Sequence, residues 1–284
     1  MKENIDLTKN GIGFDENGNI IYELINGNAK VKEYYDNGKL KFEGEYLNGR
    51  RNGKGKEYHY LIGNLIFDGE YLNGQRNGKG KEYDWNGKLI FEGKYLNGKR
   101  IGKGKEYDYL DRLSFDGEYY NDWKLKGKLY VKGILEYEGE FLFDKKWDGK
   151  GCNEFGNIIY ELHNGNGKVK EYNDNGELKF EGEYLNGRRN GKGKEYHKND
   201  RLIFEGQYLY GKKWDGKGYD ENRNIIYELK NGTGKIKEYD EDRKLIFEGE
   251  YLNGKRNGKG KEYNWNKELI FEGQYLNGKK ISSK

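Results

Sequence analysis

Residues 42–55 read Phe42-Glu43-Gly44-Glu45-Tyr46-Leu47-Asn48-Gly49-Arg50-Arg51-Asn52-Gly53-Lys54-Gly55. The first eight residues recur with small changes from Phe67, Phe91, Phe180, Phe247 and Phe271, and in diverged form from Phe115, Tyr137 and Phe204. Shorter units start at Tyr22, Tyr160 and Tyr227, which makes 12 units spaced 20 to 25 residues apart, most often 24. Self-similarity at such a period marks a repeat array, in which stacking neighbours buries what one unit cannot bury alone. A larger cassette overlies it. Gly11-Ile12-Gly13, Gly149-Lys150-Gly151 and Gly216-Lys217-Gly218 each lead into Asn-Ile-Ile-Tyr-Glu-Leu, at separations of 138 and 67 residues. Duplication of a three-unit block accounts for both separations, and the units fill residues 1–284 as a single array with half units at both ends and no additional domain.

Within a unit the alternation has period two, which predicts strands. Leu89, Phe91, Gly93 and Tyr95 share one face, and Ile90, Glu92, Lys94 and Leu96 share the other. Asn97-Gly98 then opens a turn, and Gly102-Lys103-Gly104-Lys105-Glu106-Tyr107 returns. Asn-Gly supplies the positive φ that two-residue hairpin turns need. Each unit is therefore predicted to be a β-hairpin with Phe and Tyr inward and Glu and Lys outward. Glycine weakens a strand interior unless another group approaches closely. Gly44, Gly53, Gly55 and their equivalents are accordingly expected to make room for rings of the adjoining hairpin.

Phe42-x-Gly44-x-Tyr46-x-x-Gly49-x-x-x-Gly53-x-Gly55 resembles the consensus of membrane occupation and recognition nexus (MORN) repeats at every spacing, with Phe for the leading Tyr and Tyr for the usual Trp. Full copies starting at Phe42, Phe67, Phe91, Phe180 and Phe247 carry the resemblance. The units from Tyr22, Tyr160 and Tyr227 are shortened, and the unit from Phe115 replaces its glycine turn with Asn121-Asp122-Trp123-Lys124. The resemblance implies an all-β fold: an elongated, single-layer, twisted antiparallel sheet of tandem β-hairpin repeats, an open array. It further implies modules for protein association that are often proposed to contact membranes.

Composition agrees with a thin ring-lined structure. Hydrophobic residues make up 33% of the chain and charged residues 36%, while 15% are aromatic, so stacked rings must replace an aliphatic core. There is no proline, which excludes collagen-like and proline-rich helices. The lone Cys152 forms no intrachain disulfide, Met1 to Phe14 has no apolar core of a signal peptide, and no apolar run approaches a membrane span. A cytoplasmic location, with a membrane-peripheral one as the alternative, is the expectation. The sequon Asn231-Gly232-Thr233 then carries no glycan. A net charge of +4 from 53 basic and 49 acidic groups argues against nucleic acid.

No candidate site meets the requirements of catalysis or of a cofactor. Gly49-x-x-x-Gly53-Lys54-Gly55 is one residue short of a P-loop and lacks its Ser or Thr. His59, His163 and His197 are separated by whole repeats. Asp15-x-Asn17-x-Asn19 and Asp220-x-Asn222-x-Asn224 lack the sixth-position glycine of a calcium loop and read as Asx turns. Glu43, Glu45 and Glu57 recur with the repeat, whereas catalysis needs an asymmetric constellation. The expectation is a non-enzyme with no metal or cofactor.

Basic residues cluster in the turns: Arg50, Arg51 and Lys54; Arg76 and Lys79; Lys99, Arg100 and Lys103; Arg188, Arg189 and Lys192; Lys255, Arg256 and Lys259. Stacked in register they form a cationic ladder that either faces a partner or anionic lipid head groups, or keeps the hairpins soluble. The last unit has no Gly-x-Gly return, and the chain opens on the return-like Asn10-Gly11-Ile12-Gly13, which suggests pairing of sheet edges with a second copy or another protein. The leading functional reading is a scaffold for protein–protein association. The alternative is a peripheral adaptor that binds anionic phospholipids through the basic turns.

Overall fold

A computed structural model describes residues 11–14, 20–25, 27–173, 175–240 and 244–283, and every regular element among them is a β-strand. The strands fall into two compact units, Met1–Gly133 with Phe141–Asp144, and Ile134–Glu140 with Lys145–Lys284. In the first, Gly11–Phe14 pairs with Ile20–Leu24, and nine further strands from Ala29–Tyr34 to Trp123–Val131 follow in sequence order. In the second, strands run in order from Ile134–Leu142 to Ile158–Leu162, from Gly167–Tyr172 to Ile225–Leu229, and from Gly234–Tyr239 to Lys279–Ser283. The sheets are open, antiparallel and made of tandem hairpins, as the repeat predicts.

The turns form where the sequence places them, and they persist where the sequence departs from consensus. Asn48 and Gly49 have φ of 50° and 73°, both left-handed, the signature of a type I′ turn whose twist matches that of its strands. Asn121-Asp122 (50° and 73°), Phe143-Asp144 (50° and 60°) and Tyr210-Gly211 (49° and 86°) adopt the same shape without the Asn-Gly pair. Loss of glycine at Asn121-Asp122 therefore leaves the hairpin turn intact. At the opposite ends of the hairpins an Asp or Asn closes the connection through its own side chain. Asp84 Oδ1 accepts the backbone amides of Asn86 and Lys88 at 2.9 and 2.8 Å.

The cassettes mark the discontinuities of the ladder. Each Ile-Ile-Tyr-Glu-Leu strand (Ile20–Leu24, Ile158–Leu162 and Ile225–Leu229) is followed only by an isolated bridge, Ile25 to Asn28, His163 to Asn166 and Lys230 to Thr233, and the next strand starts a new ladder. Two of these turns hold a tryptophan: a Cβ on Gly165 would stand 2.8 Å from the Trp147 ring, and one on Gly232 would stand 2.9 Å from Trp214. At the other end of the chain, Lys279–Ser283 pairs with Leu269–Leu276 and completes the last hairpin. The half unit expected there is thus filled by a glycine-free return strand, because backbone pairing does not depend on the Gly-x-Gly signature.

Candidate interaction surface

Register settles which side chains share a face. In the repeat that starts at Phe42 the opposing pairs are Phe42 with Glu57, Gly44 with Gly55 and Tyr46 with Arg51, with a bulge between the last two. One face therefore carries the ring, the glycine pair, the tyrosine, one arginine and one glutamate. Phe42, Phe67, Phe91, Phe115, Phe180, Phe204 and Phe247 are fully buried there. The glycine pair is the floor of each ring: a Cβ on Gly44 would lie 2.6 Å from Phe42 Cζ and 2.6 Å from the Gly55 Cα, and one on Gly55 would lie 2.5 Å from the Phe42 ring and 3.1 Å from Tyr71. The close ring is thus mainly the hairpin's own Phe, with the next hairpin's Tyr71 adding its edge at a centroid distance of 5.2 Å. Gly53 has a different reason. Its φ is +89°, which excludes ordinary side chains, and what faces it is the Glu45 carboxylate, not a ring.

The roof of each ring is a cation. Guanidinium carbons of Arg51, Arg76, Arg100, Arg189 and Arg256 sit 4.0–4.2 Å from the centroids of Phe42, Phe67, Phe91, Phe180 and Phe247. Lys124, Lys213 and Lys280 take the same place over Phe115, Phe204 and Phe271. These cations are chained by shared carboxylates. Glu57 binds Arg51 at 3.0 Å and Arg76 at 2.5 Å, Glu82 binds Arg76 at 2.8 Å and also Arg100, and Glu106 binds Arg100 at 3.1 Å and Lys124 at 2.7 Å. In the second unit Glu195 joins Arg189 to Lys213, and Glu262 joins Arg256 to Lys280. Glu57 and its equivalents therefore face the rings, contrary to the expectation that Glu and Lys point outward. The cause is the Gly44–Gly55 pairing, which sets the return strand so that its Glu opposes Phe.

Burial and charge shift the titratable groups of this layer. Burial alone would raise the carboxyl of Glu33, but hydrogen bonds from Arg51 and Tyr46 and the Arg51 charge hold it below the usual range. Burial, then the Glu57 charge, raises the Tyr71 phenol, and burial with the Glu82 charge raises Tyr95. In the second unit Lys146 bridges Glu136 and the Tyr160 hydroxyl at 2.5 and 2.9 Å.

The opposite face is a charge-complementary grid. Across successive strands the partners run Lys32, Glu43, Lys56, Asp68, Lys81, Glu92, Lys105, Asp116 and Lys128. In the second unit they run Lys170, Glu181, Lys194, Glu205, Lys217 and Glu228. The ion pairs along these rows are long, 3.5 to 3.9 Å at Lys194–Glu205 and Lys56–Asp68, and wet, so each contributes little stability. Shallow grooves of about 730 and 460 Å³ run over this face in the second unit, lined by Lys168, Glu183, Lys192 and Gln207, and by Lys235, Glu250, Lys259 and Gln274.

The basic residues singled out in the sequence thus separate into three rows instead of one ladder. Arg51, Arg76, Arg100, Arg189 and Arg256 cap rings and bind glutamates. Arg50, Lys99, Arg188 and Lys255 are exposed at the start of the return strands. Lys54, Lys79, Lys103, Lys192 and Lys259 are exposed on the grid face. Asp220 holds its own turn, accepting the amides of Asn222 and Asn224 at 2.9 and 2.8 Å, as the Asx reading requires. Asp15, Asn17 and Asn19 lie outside the described residues. Sequence reasoning placed Lys94 on the outer face but missed that it stands where other hairpins carry Glu or Gln, although aligning the repeats by eye exposes it.

The MORN repeat profile matches residues 42–59, 67–87, 180–200 and 247–265. No curated protein matches the chain. Among solved structures, the Photorhabdus luminescens Tc holotoxin pore aligns at 12% identity and a TM-score of 0.22, over 96% of this chain and 17% of that one. TcdB2-TccC3-Cdc42 aligns at 11% and 0.20, over 93% and 17%, and TcdB2-TccC3 without its hypervariable C-terminal region at 13% and 0.20, over 95% and 17%. This chain spans about a sixth of the length of each, and TM-scores so low carry no argument.

Proposed function

We propose that the chain, which carries MORN repeats at residues 42–59, 67–87, 180–200 and 247–265, is a non-enzymatic scaffold whose grid face associates with another protein. The observation that supports this reading is the division of labour between the two faces. On the ring face the phenylalanines are buried and the arginines and glutamates satisfy one another at 2.5–3.1 Å. The grid face presents rows of exposed Lys and Glu at a repeat of two strands, roughly 10 Å, above shallow glycine-floored grooves. Such a periodic, polar, pre-ordered surface suits an extended partner that reads the same spacing, and its rigidity lowers the ordering cost of binding.

Two sets of charge reversals test the reading in an affinity capture from the host of the gene. Reversing Lys56, Lys81 and Lys105 on the grid face should remove a captured protein, whereas reversing Arg50, Lys99, Arg188 and Lys255 at the turns should leave it in place. The opposite pattern, together with pelleting of the protein by anionic liposomes in low salt, would establish the lipid adaptor instead.

A further inference from the structure

We propose that Lys79, Lys94 and Lys103, with the bulge at Gly102, form a docking site for a carboxylate of an acidic peptide segment in a partner protein. This deepens the scaffold reading, and rests on it, by naming one point on the grid face and the chemistry that it takes.

Hairpins of the full pattern carry a built-in carboxylate at the bulge. Gly53, Gly78, Gly191 and Gly258 all have left-handed φ, between 80° and 90°, and a Cβ on each would lie 2.0–2.1 Å from the Oε2 of Glu45, Glu70, Glu183 or Glu250. These glutamates fold onto the bulge from the preceding strand. Three of them accept the next backbone amide: the Lys54 amide donates to Glu45 at 3.3 Å, and the Lys192 and Lys259 amides donate to Glu183 and Glu250, both at 3.0 Å. A carboxylate held by the amide that follows a left-handed glycine shows that the bulge takes an anion, as backbone anion sites do.

The hairpin Leu89–Leu96 and Lys99–Tyr107 keeps the left-handed glycine, Gly102 at φ +57°, but carries Lys94 where the others carry Glu. No atom stands within 4 Å of the position that a Cβ on Gly102 would take. The carboxylate's place is open, and the residue that supplies it elsewhere has changed sign. Lys94 lies directly opposite Lys79, the one lysine–lysine partnership among the described cross-strand pairs, whereas the equivalent Lys54, Lys192 and Lys259 face Glu70, Gln207 and Gln274. Lys103 follows on the next strand, where its cross-strand partner is Glu118, and Lys79, Lys94 and Lys103 are all exposed. Like charges directly opposite destabilise a sheet. The Lys79–Lys94 pair beside an open carboxylate position, with Lys103 on the next strand, forms a receptor for a carboxylate brought from outside. Glutamate or aspartate is favoured as the source because a glutamate fills the same position in the neighbouring hairpins.

The test uses the full chain, an N-acetylated hexaglutamate peptide, inorganic phosphate and vesicles containing anionic phospholipid, all in low salt. Titration calorimetry gives affinity, and the amide resonance of Gly102 reports the place. Lys94→Glu restores the built-in carboxylate. It should weaken peptide binding at least tenfold, abolish the Gly102 shift, and raise the melting midpoint by about 2–4 °C as the lysine repulsion disappears. Lys192→Glu, the equivalent of Lys103 in the second unit, should change affinity less than twofold. Unchanged peptide affinity in Lys94→Glu overturns the site. So does phosphate binding as tightly as the peptide, or vesicle binding that depends on Lys94 without peptide binding. A protein captured from the host that persists with Lys94→Glu but is lost on reversal of Lys56, Lys81 and Lys105 would sink this site while leaving the scaffold intact.

Discussion

Replacing Gly80 with valine is the sharpest probe of the stacked layer. A Cβ there would stand 2.5 Å from Phe67 Cζ, 2.7 Å from Cε2 and 3.1 Å from Tyr95 Cε2. Ordinary contact would require the ring to retreat by about 1 Å. The retreat is blocked, because Arg76 sits 4.0 Å above the centroid and is held by Glu57 and Glu82. Overpacking alone costs about 1–3 kcal/mol. With the two further methyl groups of valine the ring is expelled, which sets a ceiling near the cost of deleting it, about 3–5 kcal/mol. Gly87→Ala is the matched control: its φ is +86° and nothing stands within 4 Å, so only backbone strain of about 1–2 kcal/mol applies. Urea unfolding gives the cost, and amide exchange of strands Leu65–Leu72 and Gln75–Tyr83 gives its location. A double variant, Phe67→Ala with Gly80→Val, should cost no more than Phe67→Ala alone, a coupling of about 2 kcal/mol or more. A cost below about 1 kcal/mol for Gly80→Val, or additivity in the double variant, refutes the floor-and-roof account.

Three other outcomes follow from the same layer. Arg76→Lys should cost little, because Lys124 does the same task over Phe115, whereas Arg76→Met leaves Glu57 only Arg51 and Glu82 only Arg100 and should cost about 2–3 kcal/mol in thermal melts. Stability should fall on both sides of neutrality. Glu33, Glu171, Glu195 and Glu262 have lowered folded-state values, so their contribution is present above the ordinary carboxyl value of about 4.3 and is lost as pH falls through the lowered values. Tyr46, Tyr71 and Tyr95 are raised, and Tyr107 is pushed up to about 12, so their contribution is complete below about pH 10 and fades above it. A urea midpoint that stays flat from pH 3 to pH 11 would contradict these assignments. Tyr210→Asn should stabilise by about 0.5–1 kcal/mol, since Tyr210 is an exposed residue at φ 49°, where asparagine is better tolerated. A lowered melting midpoint would show that Tyr210 contributes contacts that outweigh its strain.

Local chemistry alone determined the hairpins, their turns and the ring-bearing face. Phe42, Gly44 and Tyr46 alternate within one strand, and Asn48-Gly49 prescribes its turn, so no distant residue is needed to read them. The spacing of the glycines also carried the MORN-repeat resemblance, which the repeat profile matches at four segments. Which of Arg50 and Arg51 turns toward the ring was not readable, because a bulge at Gly53 lies between the turn and the Gly44–Gly55 pair and resets the alternation of the returning strand. The same register carried Glu57 onto the ring face and made it a bridge between Arg51 and Arg76, which are 25 positions apart in the chain. The ladder breaks after the Ile-Ile-Tyr-Glu-Leu strands are likewise tertiary: the letters show a shortened unit, but only the packing around Trp147 and Trp214 shows that pairing lapses there. Lys94 stands between the two cases. Its identity is plain in the sequence, yet its meaning depends on the carboxylates that fold onto Gly53, Gly78, Gly191 and Gly258, contacts that exist only once the strands are paired.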